Sequence, residues 1–313
     1  MKKFIGKRIL MMIPVLLGVA FLIFAIMSFT PGDPAAIILG SQATPEAIQE
    51  LREKLGLNQS FLSRFFYYIK GIVTRFDFGT SYINGRNVQD EILMRFSYTF
   101  RVALLSMAFA LGFGIPLGIT AAVHRNTWKD RVSMTIALFG ISMPTFWFGQ
   151  MLSIIFALKL GLLPASGVGG IRYYILPCLA VSMMGIAAMA RITRSSMLEV
   201  IRSDYITTAR AKGQEERKII YKHALRNALI PVVTQAGATF GILLGGTLVA
   251  ETVFAIPGLG SYMVTSINSR DYPAIQGAVI FIAAVFGVVM LLVDILYAVI
   301  DPRIRVEFSK GGK

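Results

Sequence analysis

Residues 203–213 read Ser203-Asp204-Tyr205-Ile206-Thr207-Thr208-Ala209-Arg210-Ala211-Lys212-Gly213, and the chain continues through Glu215-Glu216-Arg217-Lys218 to Lys222-His223 and Arg226-Asn227. Ser203 or Asp204 can cap a helix running to Lys212. Arg210 and Lys212 complement the carbonyl end of that helix, and Gly213 follows at the position where a left-handed residue ends it. A second helix opens with Glu215 and Glu216 in its first turn. The spacing predicts that it ends near Arg226-Asn227, with Pro231 inside the start of the next apolar run. The pattern is helix, glycine elbow, helix. Two readings stand for such a segment. It can lie on anionic headgroups, or it can dock in a groove on a partner. Thr207, Thr208, Ala209 and Ala211 give a low-relief surface, and only Tyr205 and Ile206 are bulky. A lipid-binding face would carry more Leu, Phe or Trp, so the docking reading is favoured.

Outward from the elbow, the chain is apolar. Of 313 residues 55% are hydrophobic and 15% charged, well below the roughly 25% charge usual in soluble domains. Six uncharged or nearly uncharged runs approach the roughly 20 residues needed to cross about 30 Å of hydrocarbon. They are 9–29, about 102–123, 132–158 interrupted by Pro144, 175–190, 228–250 and 275–300. The fourth is short and rich in Met and Ala, and can extend on either side past Tyr173 and Arg191. The expectation is an all-α polytopic membrane protein with six transmembrane helices.

Charge assigns the sides. Lys2, Lys3, Lys7 and Arg8 precede the first run. Arg125, Lys129 and Arg131 lie in 124–131, nine Lys or Arg in 191–227, and Arg303, Arg305, Lys310 and Lys313 in the tail. Lys159, Arg172 and Arg270 are the few in the intervening short loops. This asymmetry puts both termini and the elbow in the cytoplasm. It also accounts for most of the net charge of +14 without a nucleic-acid partner. The first run is too long for a signal peptide and lacks a small-x-small cleavage site, so it reads as a retained anchor. Segment 30–98 has seven basic and seven acidic residues and reads as a small folded cap outside. Thr44 caps a helix that has Pro45 at its first position and Glu46 in its first turn, and Gly56 follows its end. A second helix is expected around 61–73. The expected divisions are 1–29, the N-terminal tail and first helix; 30–98, the extracytoplasmic segment; 99–301, the membrane core with loop 191–227; and 302–313, the tail.

Other residues admit two readings each. Gly237, Gly241 and Gly245 leave a smooth helix face for close packing, within the monomer or at a subunit interface beside the pathway. Gly114 and Gly118 read the same way. Pro144 is a kink or a flexing point. Asp294, the one acid well inside a run, is an interface-paired acid or a functional one. Glu251 is a helix-end residue in water, or a contact for a delivery protein or a peptide amino group. The lone Cys178 cannot form an internal disulfide. His124 and His223 make no metal site by spacing. No paired intramembrane Asp, H-E-x-x-H or nucleophile-base set supports an intramembrane enzyme.

Taken with His223-Ala224-Leu225-Arg226-Asn227-Ala228-Leu229-Ile230-Pro231, the 205–213 stretch resembles the EAA loop of binding-protein-dependent ABC importer permeases. More narrowly it resembles their peptide/nickel branch, the dipeptide and oligopeptide permeases. Phe29-Thr30-Pro31-Gly32-Asp33-Pro34, Asp77-Phe78-Gly79-Thr80-Ser81-Tyr82, Glu251 through Gly260, Arg270-Asp271-Tyr272-Pro273 and Asp301-Pro302-Arg303-Ile304-Arg305 agree in order. Thr207 stands where the general pattern has an acid, and Arg226 where it has proline; the peptide branch is similar in both. The resemblance implies a type I importer permease fold in a bacterial or archaeal cytoplasmic membrane. It implies a second, related permease subunit, two cytoplasmic ATPases beneath and an extracytoplasmic solute-binding protein. The substrate would be dipeptides or short oligopeptides, with nickel chelate or glutathione as the alternative on the same fold. Asp204, Tyr205, Thr208, Ala209, Arg210, Ala211, Lys212, Gly213, His223, Arg226 and Asn227 would couple to an ATPase. The chain has no G-x-x-x-x-G-K-[ST] run, so ATP and Mg would sit on partner subunits and this chain would bind no cofactor and catalyse no reaction. An ion-coupled carrier, the remaining rival, would want a path of buried acids, and the sequence has none.

Overall fold

A computed structural model describes residues 2–40 and 43–300, with side chains from 5 to 296 within that range. The basic tail, Asp301 and the 301–305 motif lie outside the described residues. Among those described, regular structure is helical apart from one isolated bridge between Thr80 and Asn87. The helices are α1 Lys2–Phe29, α2 Pro34–Leu39, α3 Pro45–Lys54, α4 Phe61–Arg75, α5 Val88–Val123, α6 Trp128–Ser142, α7 Thr145–Leu152, α8 Arg172–Ile201, α9 Asp204–Ala211, α10 Glu216–Lys218, α11 Leu225–Gly246, α12 Leu248–Val253, α13 Leu259–Asn268 and α14 Tyr272–Ile300. Five continuous helical stretches are long and apolar enough to cross a membrane, and α6 with the α7 stretch makes a sixth that is bent by 104°.

That bend has a local cause. Proline forces the residue before it out of the helical region, and Met143 is extended at ψ 130° while Pro144 has ψ 130° as well. The third expected run is therefore two half-length helices. The second half continues as a π-helical stretch, Ser153–Lys159. The fourth run is the opposite case. Its charge-free stretch stops at Arg191, but α8, 30 residues long in all, runs on to Ile201.

The chain divides into two compact units, one of residues 1–6, 100–256 and 288–313, the other of residues 7–99 and 257–287. In the first, α8 is the central rod and packs along α11 and α6. Small residues let the rods close up: a Cβ on Gly114 would sit 2.5 Å from Met189 Cβ, and one on Gly118 2.5 Å from Thr193 Cβ. The Gly114/Gly118 face is thus packing of α5 on α8 inside the chain. Within the most apolar window of α8, 61% of residues are buried, against 11% for α1 and α14. Exposed Leu10, Val15, Leu22 and Ile26 on α1 present apolar surface of the kind that lipid covers.

The second unit has its own core of Phe24, Phe65, Phe78, Ile92 and Leu259. The cap helices form as their signals require. Thr44 Oγ1 accepts from Ala47 N at 3.3 Å, and Gly56 is left-handed at φ +65°. Helix α2 was not expected. Asp33 makes it by accepting from Ala35 N at 3.1 Å, and its other oxygen accepts from Arg52 Nε at 2.9 Å. Asp271, although 190 residues away in sequence, accepts from Ser81 Oγ and from Tyr82 N. Two of the motifs read in the sequence meet at that carboxylate.

Candidate coupling surface

Helix α9 has two unlike faces. Ile206 is fully buried among Ile119, Met197, Ile219, Ile220 and Ala224. Burying a side chain of that size stabilises by about 2 kcal/mol, which fixes the short helix to α5, α8 and the start of the next rod. Asp204, Tyr205, Thr207, Thr208, Arg210, Ala211 and Lys212 are exposed, and Ala209 is half-buried. Ser203 occupies the N-cap position without a side-chain cap bond, because its hydroxyl donates backwards to Val200 O at 2.6 Å.

Gly213 takes φ +74°, a region in which any side chain is strained. Its N–H closes the helix on Arg210 O at 2.9 Å. Arg210 then spans the elbow and donates to both oxygens of Glu216, at 3.0 and 2.6 Å. Arg210, expected to complement the carbonyl end of this helix, is thus a clip between the two arms of the elbow.

The second arm does not end near Asn227. From Glu216 to Gly246 the chain is one membrane-length helix, through Pro231. A π-helical stretch, Ile219–Ala224, sits in it. The wider turn re-phases the faces, so that Ile219, Ile220 and Ala224 are buried while Tyr221, Lys222 and Arg226 stay exposed. Tyr205 and Asn227 join the arms, Asn227 Nδ2 donating to Tyr205 Oη at 2.7 Å. Beside them lies a cavity of about 680 Å³ lined by Tyr205, Lys222, His223, Arg226, Asn227 and Ile230. His223 Nε2 is buried without a hydrogen-bond partner. Of the eleven expected coupling residues, then, the fold gathers Tyr205, His223, Arg226 and Asn227 at one concavity and leaves Thr208, Ala211 and Lys212 on the outer helix face.

One feature of this region escaped the sequence reading. Asp130, in the first turn of α6, accepts from Arg194 Nε and Nη2, both at 2.8 Å, and from Asn126 N at 3.0 Å. The fork fixes α6 to α8 ahead of the elbow. Arg191 and Arg194, three apart, carried the signal, since they lie on one face of any helix prolonged past Ala190.

The remaining candidates scatter. A Cβ on Gly237 would overlap Val293 at 2.0 Å, so Gly237 packs against α14. Gly241 is buried, and Gly245 is exposed, with nothing within 4 Å of where a Cβ would sit. Glu251 is fully buried and accepts from Thr247 Oγ1 at 3.0 Å, which removes the reading of a helix-end acid in water. Asp294 is half-buried on α14. Cys178 is buried.

Residues 114–306 match the profile of the binding-protein-dependent transport system inner membrane component, and residues 1–103 that of the N-terminal part of such components. The chain is 47% identical over 305 residues to the glutathione transport system permease protein GsiC of Salmonella choleraesuis, covering 97% of this chain and 99% of that protein. It is 46% identical to GsiC of Escherichia coli strain K12 over the same length. Among solved structures, it is similar in fold to an inward-facing form of the MetNI methionine ABC transporter, with TM-score 0.59 at 18% identity over 67% of this chain and 96% of that one. It also resembles an amino acid ABC transporter, with TM-score 0.51 at 14% identity over 68% and 94%. The chain belongs to the binding-protein-dependent transport system inner membrane components, the multi-pass permease subunits of bacterial ABC importers.

Proposed function

We propose that this permease carries short peptides across the cytoplasmic membrane, with glutathione, itself a tripeptide, as the foremost candidate, and that the 203–227 elbow is its handle. The relatives named for glutathione transport support the substrate class, since they align with almost the whole chain. The observation that carries the mechanism is the division of α9: Ile206 is locked inside while Thr208, Ala211 and Lys212 face out. A separate ATPase grips the outer face, and one of its acidic side chains seats in the basic cavity beside His223 and Arg226. Because α9 lies between α8 and the 216–246 rod, its displacement moves both, and access to the pathway alternates.

In this reading a second, related permease completes the pathway, two ATPases hold ATP and Mg, and a solute-binding protein delivers peptide from outside. Both termini face the cytoplasm. Lipid surrounds α1 and α14, nucleic acid has no part, and this chain performs no catalysis. Reconstituted vesicles test it. The full assembly takes up labelled glutathione when ATP is supplied, and vesicles lacking the ATPases take up none. Gly213→Asp strains the elbow by about 1–2 kcal/mol, leaves membrane insertion intact and brings uptake to background. Uphill uptake by this chain without an ATPase, or undiminished uptake by the Gly213→Asp variant, contradicts the proposal.

A further inference from the structure

The unit made of residues 7–99 and 257–287 contains a cavity of about 440 Å³, within the size range of small-molecule sites. Asp33, Arg52, Asn58, Arg64, Tyr82 and Tyr272 are among its walls. Its charges do not balance. Asp33 is taken by Arg52 at 2.9 Å, and among the described residues Arg64 has no carboxylate partner, its guanidinium lying 5.8 Å from the centre of the Phe24 ring. Arg270 adds a cation at the rim: its Nη1 donates to Pro31 O at 3.2 Å and comes within 2.9 Å of the Cβ position of Gly32, a wall residue.

Tyr272 supplies an independent sign. It is 7% exposed, and among the described residues its buried hydroxyl has no hydrogen-bond partner. It stands 3.6 Å from the Cβ position of Gly32, so the orphan oxygen is at the cavity wall. A buried hydroxyl left unbonded costs stability, and one at a cavity wall can be completed by a water, an ion or a ligand that enters there. Tyr82 is a second donor, for burial pushes its phenol up to about 12 and it stays protonated at neutral pH.

We propose that this cavity binds a carboxylate, the terminal carboxylate of a short peptide, with Arg64 as the charged partner and the Tyr272 and Tyr82 hydroxyls as donors. A guanidinium fork flanked by hydroxyls matches the planar, two-oxygen acceptor. Choosing a peptide as the source of the carboxylate rests on the import reading above; the anion chemistry does not.

Saturation-transfer NMR on the full chain in lipid nanodiscs provides the test, with tri-alanine and its C-terminal amide as probes. The wild type binds the acid about tenfold more tightly than the amide. Arg64→Gln removes that preference and Arg64→Lys keeps part of it. Tyr272→Phe weakens the acid while leaving the melting temperature unchanged or higher, which a purely structural tyrosine would not do. Equal binding of acid and amide to the wild type overturns the proposal, as does a preference that survives Arg64→Gln, or displacement of tri-alanine by inorganic phosphate as readily as by acetate. Since binding and not uptake is read, such a failure leaves the import reading standing, and failed uptake leaves this site standing.

Discussion

Two polar segments interrupt the apolar rods of this permease, and they handle charge differently. In and around segment 30–98, carboxylates close on partners. Asp33 holds Arg52 and the start of α2, buried Glu91 holds Arg86 at 3.1 Å and Arg95 at 2.8 Å, and Asp271 holds Ser81 and Tyr82. In the elbow, only Arg210 is clipped, to Glu216. Lys212, Arg217, Lys218, Lys222 and Arg226 are exposed and, among the described residues, have no carboxylate within 4 Å. Segment 30–98 pairs Arg52, Lys54, Arg86 and Arg95 with its own carboxylates and leaves Lys70 and Arg75 exposed. A segment that turns five cations outward is finished by something else. Arg64 lines the cavity assigned above to a ligand.

The contrast can be broken at several points. Asp271→Ala should be the most damaging to the fold. It strands the Ser81 hydroxyl and the Tyr82 N–H, at a cost of about 3 kcal/mol, visible as a lowered melting temperature in detergent. A stability loss as large from any single elbow cation would erase the distinction. Arg194→Ala leaves the Asp130 carboxylate, 7% exposed, without its fork. A loss of about 2–3 kcal/mol is expected in the same assay, since Arg194 is itself partly in solvent. Arg226→Glu sharpens the comparison: stability should stay within about 0.5 kcal/mol, while ATP-dependent uptake by the assembly drops severalfold. Arg210→Ala should be mildest, about 0.5 kcal/mol, because both partners are substantially exposed; loss of a full kcal/mol would show that the elbow needs its clip to fold.

What could be read beforehand follows physical locality. The Thr44 cap, the stop at Gly56 and the left-handed Gly213 depend on neighbours within a turn, and the sequence displays all three. So does the break at Pro144, though not its 104° size. An extension of the fourth run past Arg191 was open from the sequence, but not what holds it: Asp130, 64 residues before Arg194, takes its guanidinium. The second elbow arm seemed to stop near Asn227. Lys222 and Arg226 look like loop charges, and only the π-helical stretch shows how one rod exposes them while burying Ile219 and Ala224. Ile206 was counted as one of two bulky residues, with no means of telling that it alone faces inward. Glu251 shows the limit most plainly. An acid beside a span end belongs in water by every local rule, yet the fold encloses it with Thr247.

The central claim is that the outer face of α9 is held by a separate nucleotide-hydrolysing subunit. Thr208→Cys puts a thiol on that face, and native Cys178, being buried, serves as the built-in control. A maleimide reagent with an amine-reactive arm is applied to native membranes holding the whole assembly. The account predicts a cross-linked product between the Thr208→Cys chain and the ATPase, absent from the wild type and lost in Gly213→Asp. A Thr208→Cys chain that forms products only with lipid-associated or unrelated proteins, and never with the ATPase, contradicts it.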